Sequence, residues 1–447
     1  MSVAVMKTKA ETSLDQDFQN QRDRLPGGAD VLEIRQAAHE KFRERGLPHR
    51  RIEEWKYTDL RNAIKEALPV RIGDATPVTV ADVIVALGPL AHLDAQRCVF
   101  VNGAYRPELS SVEAQAGVTV ESLAGKLDAA GGESHGLLSD FGESAAREDV
   151  IVALNTAYTT DGAVVHVEDG AKVSKPLLLV YMRAGGDAMF TAVRNVIEVG
   201  KGAEVQIIEA FVSLPGSASS GQANAATRIN VADEAKVTHA KCSADDGRDV
   251  THLGNWAVHL GEKSEYDGFQ LTQGVGLARQ QIFVTFGGEH ARLDLSGVFL
   301  GRNQDHIDTT LVVEHAVPSC ESRELFKGVL DDNARGIFQG KIIVKQIAQK
   351  TDGKQMSQAL LLSPDAEFDS KPELEIFADD VACGHGATCV ELDHDLMFYC
   401  RSRGIPEDIA RVLLIESFIG EAVEKIEDED IREAFMAFGR LWLHAND

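Results

Sequence analysis

Cys383 and His385 stand two residues apart in the run Cys383-Gly384-His385-Gly386-Ala387-Thr388, the only place where a thiol and an imidazole are so spaced between glycines. In an extended strand alternate side chains share a face, so both project one way and the glycines leave the other face bare. Thiolate and imidazole suit iron, zinc or copper, but two ligands are too few for a closed site. The rest must come from another strand or another subunit. Cys389 shares that face if the strand runs far enough. The plainer reading is a small buried thiol and a hydrogen-bonded histidine. Elsewhere there is no G-x-x-x-x-G-K-[ST] loop, G-x-S-x-G elbow, H-E-x-x-H helix or paired C-x-x-C motif. Gly274-Val275-Gly276 lacks the third glycine of a dinucleotide site. His306-Ile307-Asp308 puts two polar side chains on one strand face, which a polar rung on the outside of a sheet explains. Glu314, His315 and Cys320 lie near it without metal-ligand spacing.

Strands must position these residues. Across 326–388, short runs rich in β-branched and aromatic residues are separated by turn clusters such as Asp331-Asp332-Asn333 and Ser363-Pro364-Asp365. Turn residues, then a small or polar residue, then a strand recur at Ala171, Ala188, Ala203, Ala235, Ser264, Ala291, His306, Ala334, Ala366 and Ala382. Neighbouring marks often lie 14–17 residues apart, and most others about twice that. One strand per short period predicts a coil of stacked parallel strands, a parallel β-helix, in which each rung buries its face against the next. Near-continuous apolar runs such as 176–181 fit parallel strands. An antiparallel sandwich would need more two-residue hairpin turns than this region offers. Residues 214–221 interrupt the period as a surface loop.

The flanks read differently. Residues 1–28 lack an apolar core and are expected to be a disordered leader, not a signal peptide. A mixed and helical domain spans 29–155. It opens with a helix over 31–45, capped by Asp30 and stopped at Gly46. Trp55, Tyr57 and Leu60 anchor the next segment, with Arg50 and Arg51 pairing to Glu53 and Glu54. A strand over 98–101 turns at Asn102-Gly103, and 131–134 is a loop. The β-helix occupies 156–390. A helical, partner-binding domain follows over 391–447: one helix from Pro406 to about 426 carries Ile409, Leu413 and Ile419 at helical spacing, and a second carries Phe435 and Trp442. The fold class is thus mainly β with helical ends.

The 447 residues include 45 basic and 70 acidic side chains, a net charge of −25 that repels phosphate backbones and argues against nucleic acid. No apolar stretch approaches the ~18 residues that span a bilayer. Six scattered cysteines without a signal peptide point to reduced thiols in the cytoplasm.

Four segments, 325–336, 349–353, 360–366 and 371–388, resemble the SufB/SufD family of iron–sulfur cluster assembly scaffolds, and 398–405 and the Arg50-to-Leu60 stretch extend the match. The resemblance covers about 45–60 and most of 165–425. Within the family it is nearer to the SufD branch: Ser357 precedes the strand where SufB-type chains carry a cysteine, and His385-Gly386-Ala387 replaces His-Glu-Ala. Gly384, Cys389 and Cys400 depart from the SufD pattern. The resemblance implies a right-handed β-helix and a non-enzymatic subunit. Its implied partners are a SufB-like subunit at the coil end and a SufC-like ABC-type ATPase on the C-terminal helices, with a homodimer when isolated. A nascent, transient iron–sulfur cluster would be shared at the subunit interface, with His385 as this chain's contribution and Cys383 secondary; no residue is attached to a flavin. The ATPase would meet Ile409, Leu413, Ile419, Phe435 and Trp442. The alternatives are a β-helix polysaccharide lyase, disfavoured by the acidic charge, and a stand-alone metal carrier, disfavoured by the sparse ligands.

Overall fold

In the computed structural model, which describes residues 7–73, 75–112, 115–129, 134–139, 141, 146, 148–245 and 247–444, strands alternate between two sheets from Ala163 onward. One sheet stacks Leu177–Arg183, Glu204–Ser213, Lys236–Ala244, Glu265–Gln273, Arg292–Gly301, Glu321–Leu330, Asp352–Leu361 and Ala382–Val390, all in parallel. The other stacks Ala163–Val167, Phe190–Val199, Ser220–Val231, Gly247–Leu260, Val275–Phe286, His306–His315, Arg335–Val344 and Glu367–Ile376. The result is a parallel β-helix of about eight turns.

One corner of most turns follows a local steric rule. A residue in the left-handed region precedes a small buried one at Gly202-Ala203, Glu234-Ala235, Lys263-Ser264, His290-Ala291, Ser319-Cys320 and Lys350-Thr351. The left-handed residue reverses the chain, and the small side chain fits where the sheets converge. These pairs recur every 27–32 residues. A full turn therefore carries two strands, and the 14–17-residue spacing is half of one. Between the sheets runs an apolar column that includes Ile207, Leu295, Phe326 and Phe338. The strand Ser220–Val231 begins inside the expected 214–221 loop.

The expected leader is corrected. Residues Lys9–Gln21 form a helix with a capping box between Thr8 and Glu11, and Ala10, Leu14 and Phe18 are buried at four-residue spacing. Phe18 stacks on His39 with ring centroids 4.0 Å apart. The next helix, Ala29–Arg45, starts from Gly28 instead of Asp30 and ends at Gly46, whose φ is +72°. Asn102 and Gly103, with φ of 50° and 81°, join Gln96–Val101 to Ala104–Tyr105 as a tight hairpin. The expected loop at 131–133 lies outside the described residues, and Ser134 opens a helix, Ser134–Ser139.

The Trp55 segment is pinned to the outer face of the second sheet. The Trp55 ring lies 3.9 Å from the Arg279 guanidinium, and Arg279 Nη2 donates to the Glu54 carbonyl (2.7 Å). Arg279 pairs with Asp308, both fully buried. Thr58 donates its hydroxyl to Asp308 and lies 2.8 Å from His306 Nε2. Glu53 pairs with Lys371 (2.6 Å), not with Arg50 or Arg51. At the other end of the chain, Glu407–Val423 and Glu429–His444 lie against the outer face of the first sheet, with the Phe435 ring 5.0 Å from that of Phe269. The preceding helix, His394–Ser402, buries none of its residues.

Candidate functional site at the open end of the coil

The strand Ala382–Val390 ends the first sheet and pairs with Asp352–Leu361. Register sets Cys383 over Gly353, His385 over Gln355, Ala387 over Ser357 and Cys389 over Ala359. Those four partners are buried and face the coil interior, so Cys383, His385 and Cys389 share the inward face, as alternation predicts. No further turn among the described residues covers them. Cys383 is half-buried against the interior apolar cluster, while His385 and Cys389 are exposed. Burial pushes the Cys383 thiol above its ordinary range, and the nearby Asp352 and Glu324 carboxyls add to this. A side chain at Gly384 would meet nothing within 4 Å, and one at Gly386 would touch the Met356 methyl. The glycines thus leave the outer face of this strand low. A depression of 590 Å³ here is lined by Arg323, Lys354, Met356, Cys383 and His385 among others.

Two polar residues beneath this strand escape sequence inspection. Glu324 is 2% exposed, and neither carboxylate oxygen has a hydrogen-bond partner among the described residues. Burial pushes its carboxyl up to about 8. Gln355, one strand nearer the end, is 3% exposed. Ser322, Glu324 and Phe326 alternate along one strand, and that period was the available signal. Ser357 and Ser370 bridge the two sheets with hydroxyls 2.8 Å apart.

A second interior cluster lies deeper. Glu209 is fully buried; burial alone would raise its carboxyl, but Lys241 and His239 hold it down to about 2. His239 Nε2 lies 3.0 Å from Glu209 Oε1, and its Nδ1 lies 2.8 Å from the Tyr266 hydroxyl. In register, Gly268 and Leu295 separate His239 from Glu324, so two turns of the coil lie between the two polar regions. The His306 and Asp308 pair sits outside, under Thr58, where a polar rung was expected. His315 is buried against the Phe286 ring (4.3 Å), Glu314 pairs with Lys345 (3.3 Å), and Cys320 is a turn residue. Among the described residues no group of three His, Cys, Asp or Glu side chains is placed to hold a metal ion.

The residues expected to meet an ATPase divide into two sets. Ile409 and Leu413 are each 46% exposed. Ile419, Phe435 and Trp442 are not surface positions: they are buried in the apolar cluster that joins the helices to Val298, Val329 and Leu360, and Trp442 lies 3.8 Å from the Arg302 guanidinium. The helical period marks an apolar stripe but not what covers it, and here the coil covers most of it. No helix among the described residues is long and apolar enough to cross a membrane.

Residues 181–418 match the family profile of the SUF system FeS cluster assembly SufBD core domain, and residues 8–179 match the SufBD protein N-terminal region. The chain is 32% identical to the iron–sulfur cluster assembly protein SufD of Escherichia coli, covering 88% of each chain. It is 30% identical to an iron–sulfur cluster assembly SufBD family protein of Synechocystis over 93% of each, and 26% identical to SufD of Bacillus subtilis over 65% of this chain and 66% of that one. The parallel coil, the pinned Trp55 segment and the Cys383/His385 strand are therefore those of a SufD homologue, and the chain belongs to the SufBD family of iron–sulfur cluster assembly proteins.

Proposed function

We propose that this chain is a non-enzymatic, cytoplasmic SufD-like subunit that docks its open coil end onto a SufB-like coil and its C-terminal helices onto a SufC-like ABC-type ATPase. Isolated copies would pair with each other through the same end. The cargo is a nascent iron–sulfur cluster held transiently between the coils. His385 supplies one ligand; Cys383, half-buried with its thiol held protonated, is secondary.

One observation carries this reading: an exposed imidazole stands on an inward strand face at an uncovered coil end, with too few ligands beside it to hold a metal alone. A neutral imidazole is a borderline-soft ligand for iron, and a second subunit facing it completes the set. The ATPase contact would rest on Ile409 and Leu413, the two stripe residues left uncovered.

The test is iron and sulfide content of complex co-expressed with its SufB-like and ATPase partners. His385→Ala lowers cluster content while all subunits still co-purify, and Cys383→Ala has the smaller effect. Wild-type content in the His385→Ala complex refutes the assignment.

A further inference from the structure

The interior column beneath His385 contains a residue with no assigned role. Gln355 is the register partner of His385 one turn down, and both face inward. Gln355 Nε2 donates to the Gly340 carbonyl (3.3 Å), but Oε1 has no hydrogen-bond partner among the described residues, although the side chain is buried. Such groups are uncommon and call for a partner. Space has been made for this one: a Cβ at Gly340 would lie 2.3 Å from Gln355 Oε1. On the far side, Glu324 is buried with both oxygens equally unpartnered. Directly above Gln355 in register stands His385 on the same inward face, and no hydrogen bond joins the two side chains as they stand.

We propose that Gln355 is the positioning residue for His385: a turn of the imidazole sets one ring N–H on the open Gln355 Oε1 and leaves the other nitrogen's lone pair facing the open end. A neutral imidazole has one donor and one acceptor nitrogen, so fixing the donor fixes the ligand atom. Residues that hold ligating histidines in this way change metal affinity or activity by about 10–100-fold when removed. The inference rests on the reading of His385 as a cluster ligand.

The test uses the full chain with ¹⁵N-labelled histidine. The His385 ring nitrogens are assigned by their loss in His385→Ala, and their shifts give the tautomer ratio. Gln355→Met, a near-isostere without the oxygen, moves that ratio by about fivefold, as for loss of one ordinary hydrogen bond. Gln355→Glu keeps an acceptor and restores the wild-type ratio. If the Met variant does not fold, Gln355→Asn, which withdraws the amide by one methylene, gives the same shift. In co-expressed complex, Gln355→Met lowers cluster content by about tenfold. An unchanged tautomer ratio in a folded Gln355→Met or Gln355→Asn chain overturns the proposal. Full cluster content in His385→Ala overturns the ligand reading instead, and the tautomer ratio still decides the role of Gln355.

Discussion

Replacing Asp308 with alanine strips the counter-charge from a guanidinium that water does not reach. Arg279 and Asp308 are at most 1% exposed, and the cation also holds the Glu54 carbonyl and the Trp55 ring. Removing one partner of a buried pair costs about 3–5 kcal/mol, because the remaining charge is left in a low-dielectric site. Here the cost falls on docking the Trp55 segment, since Thr58 also loses its acceptor. Hydrogen exchange of the amides of 52–60 reads that local opening directly. Asp308→Ala should lower their protection by about a hundredfold or more, while the amides of Ala382–Val390 change little. The double variant Arg279→Met, Asp308→Leu fills the space without charge and should recover most of the loss. Protection within about fivefold of wild type in Asp308→Ala, equivalent to ~1 kcal/mol, would show that the pair does not hold this segment.

Glu324→Gln should make stability less sensitive to pH. Its carboxyl titrates near 8 in the folded chain against about 4.5 ordinarily, so the native state holds an extra proton between those values. Stability from this group is complete below about pH 4.5 and falls as pH rises towards 8. The glutamine should therefore gain on wild type by a few kcal/mol at pH 8 and by little at pH 5 in thermal melts. Ile409→Glu with Leu413→Glu should abolish capture of the ATPase in a pull-down without changing the melting curve; retained capture would place the contact elsewhere. Deleting 405–447 should destabilise the coil itself, since Ile419, Phe435 and Trp442 cover Val298, Val329 and Leu360, and a wild-type melting curve for the truncated chain would contradict that packing.

The coil was legible because its corners obey a local rule. A left-handed residue followed by a small buried one left a readable mark where the sheets converge, as at Glu234-Ala235 and His290-Ala291, although Ser319-Cys320 and Lys350-Thr351 obey the same rule unread. Pairing between strands a full turn apart leaves no such mark, so the half-turn spacing alone did not reveal two strands per turn. The Cys383/His385 face followed from alternation alone. Gln355 and Glu324 were hidden because a polar residue in a strand reads as solvated until its neighbours are known. The Lys9–Gln21 helix was missed although its capping box and its apolar residues at 10, 14 and 18 were present; the surrounding charge obscured them. Ile419, Phe435 and Trp442 were correctly seen as apolar, but their cover is a sheet face 59–144 residues away in sequence.

The two edges at the open end are not equivalent, and the difference bears on how a partner binds. Exposed edge strands invite pairing, and proteins blunt them with charge and proline. Glu367–Ile376 is blunted in this way: it carries five charged residues and Pro372, which offers no N–H. Ala382–Val390 carries none of Asp, Glu, Lys or Arg, and two of its nine residues are glycine. Exposed large apolar side chains follow both strands in the chain: Phe377 (61%) just after Glu367–Ile376, and Phe398 (75%) and Tyr399 (54%) on the helix after Ala382–Val390. An unprotected edge beside uncovered aromatics is an aggregation hazard in a free chain and a docking surface in a complex. A partner strand pairing along Ala382–Val390 would satisfy its open backbone groups, and the bare glycines would admit the partner's side chains. It would also bring foreign ligands to His385, which stands in the middle of that strand. The features that make this end unsuited to solitude are therefore the ones that would place the imidazole between two chains on the proposed docking.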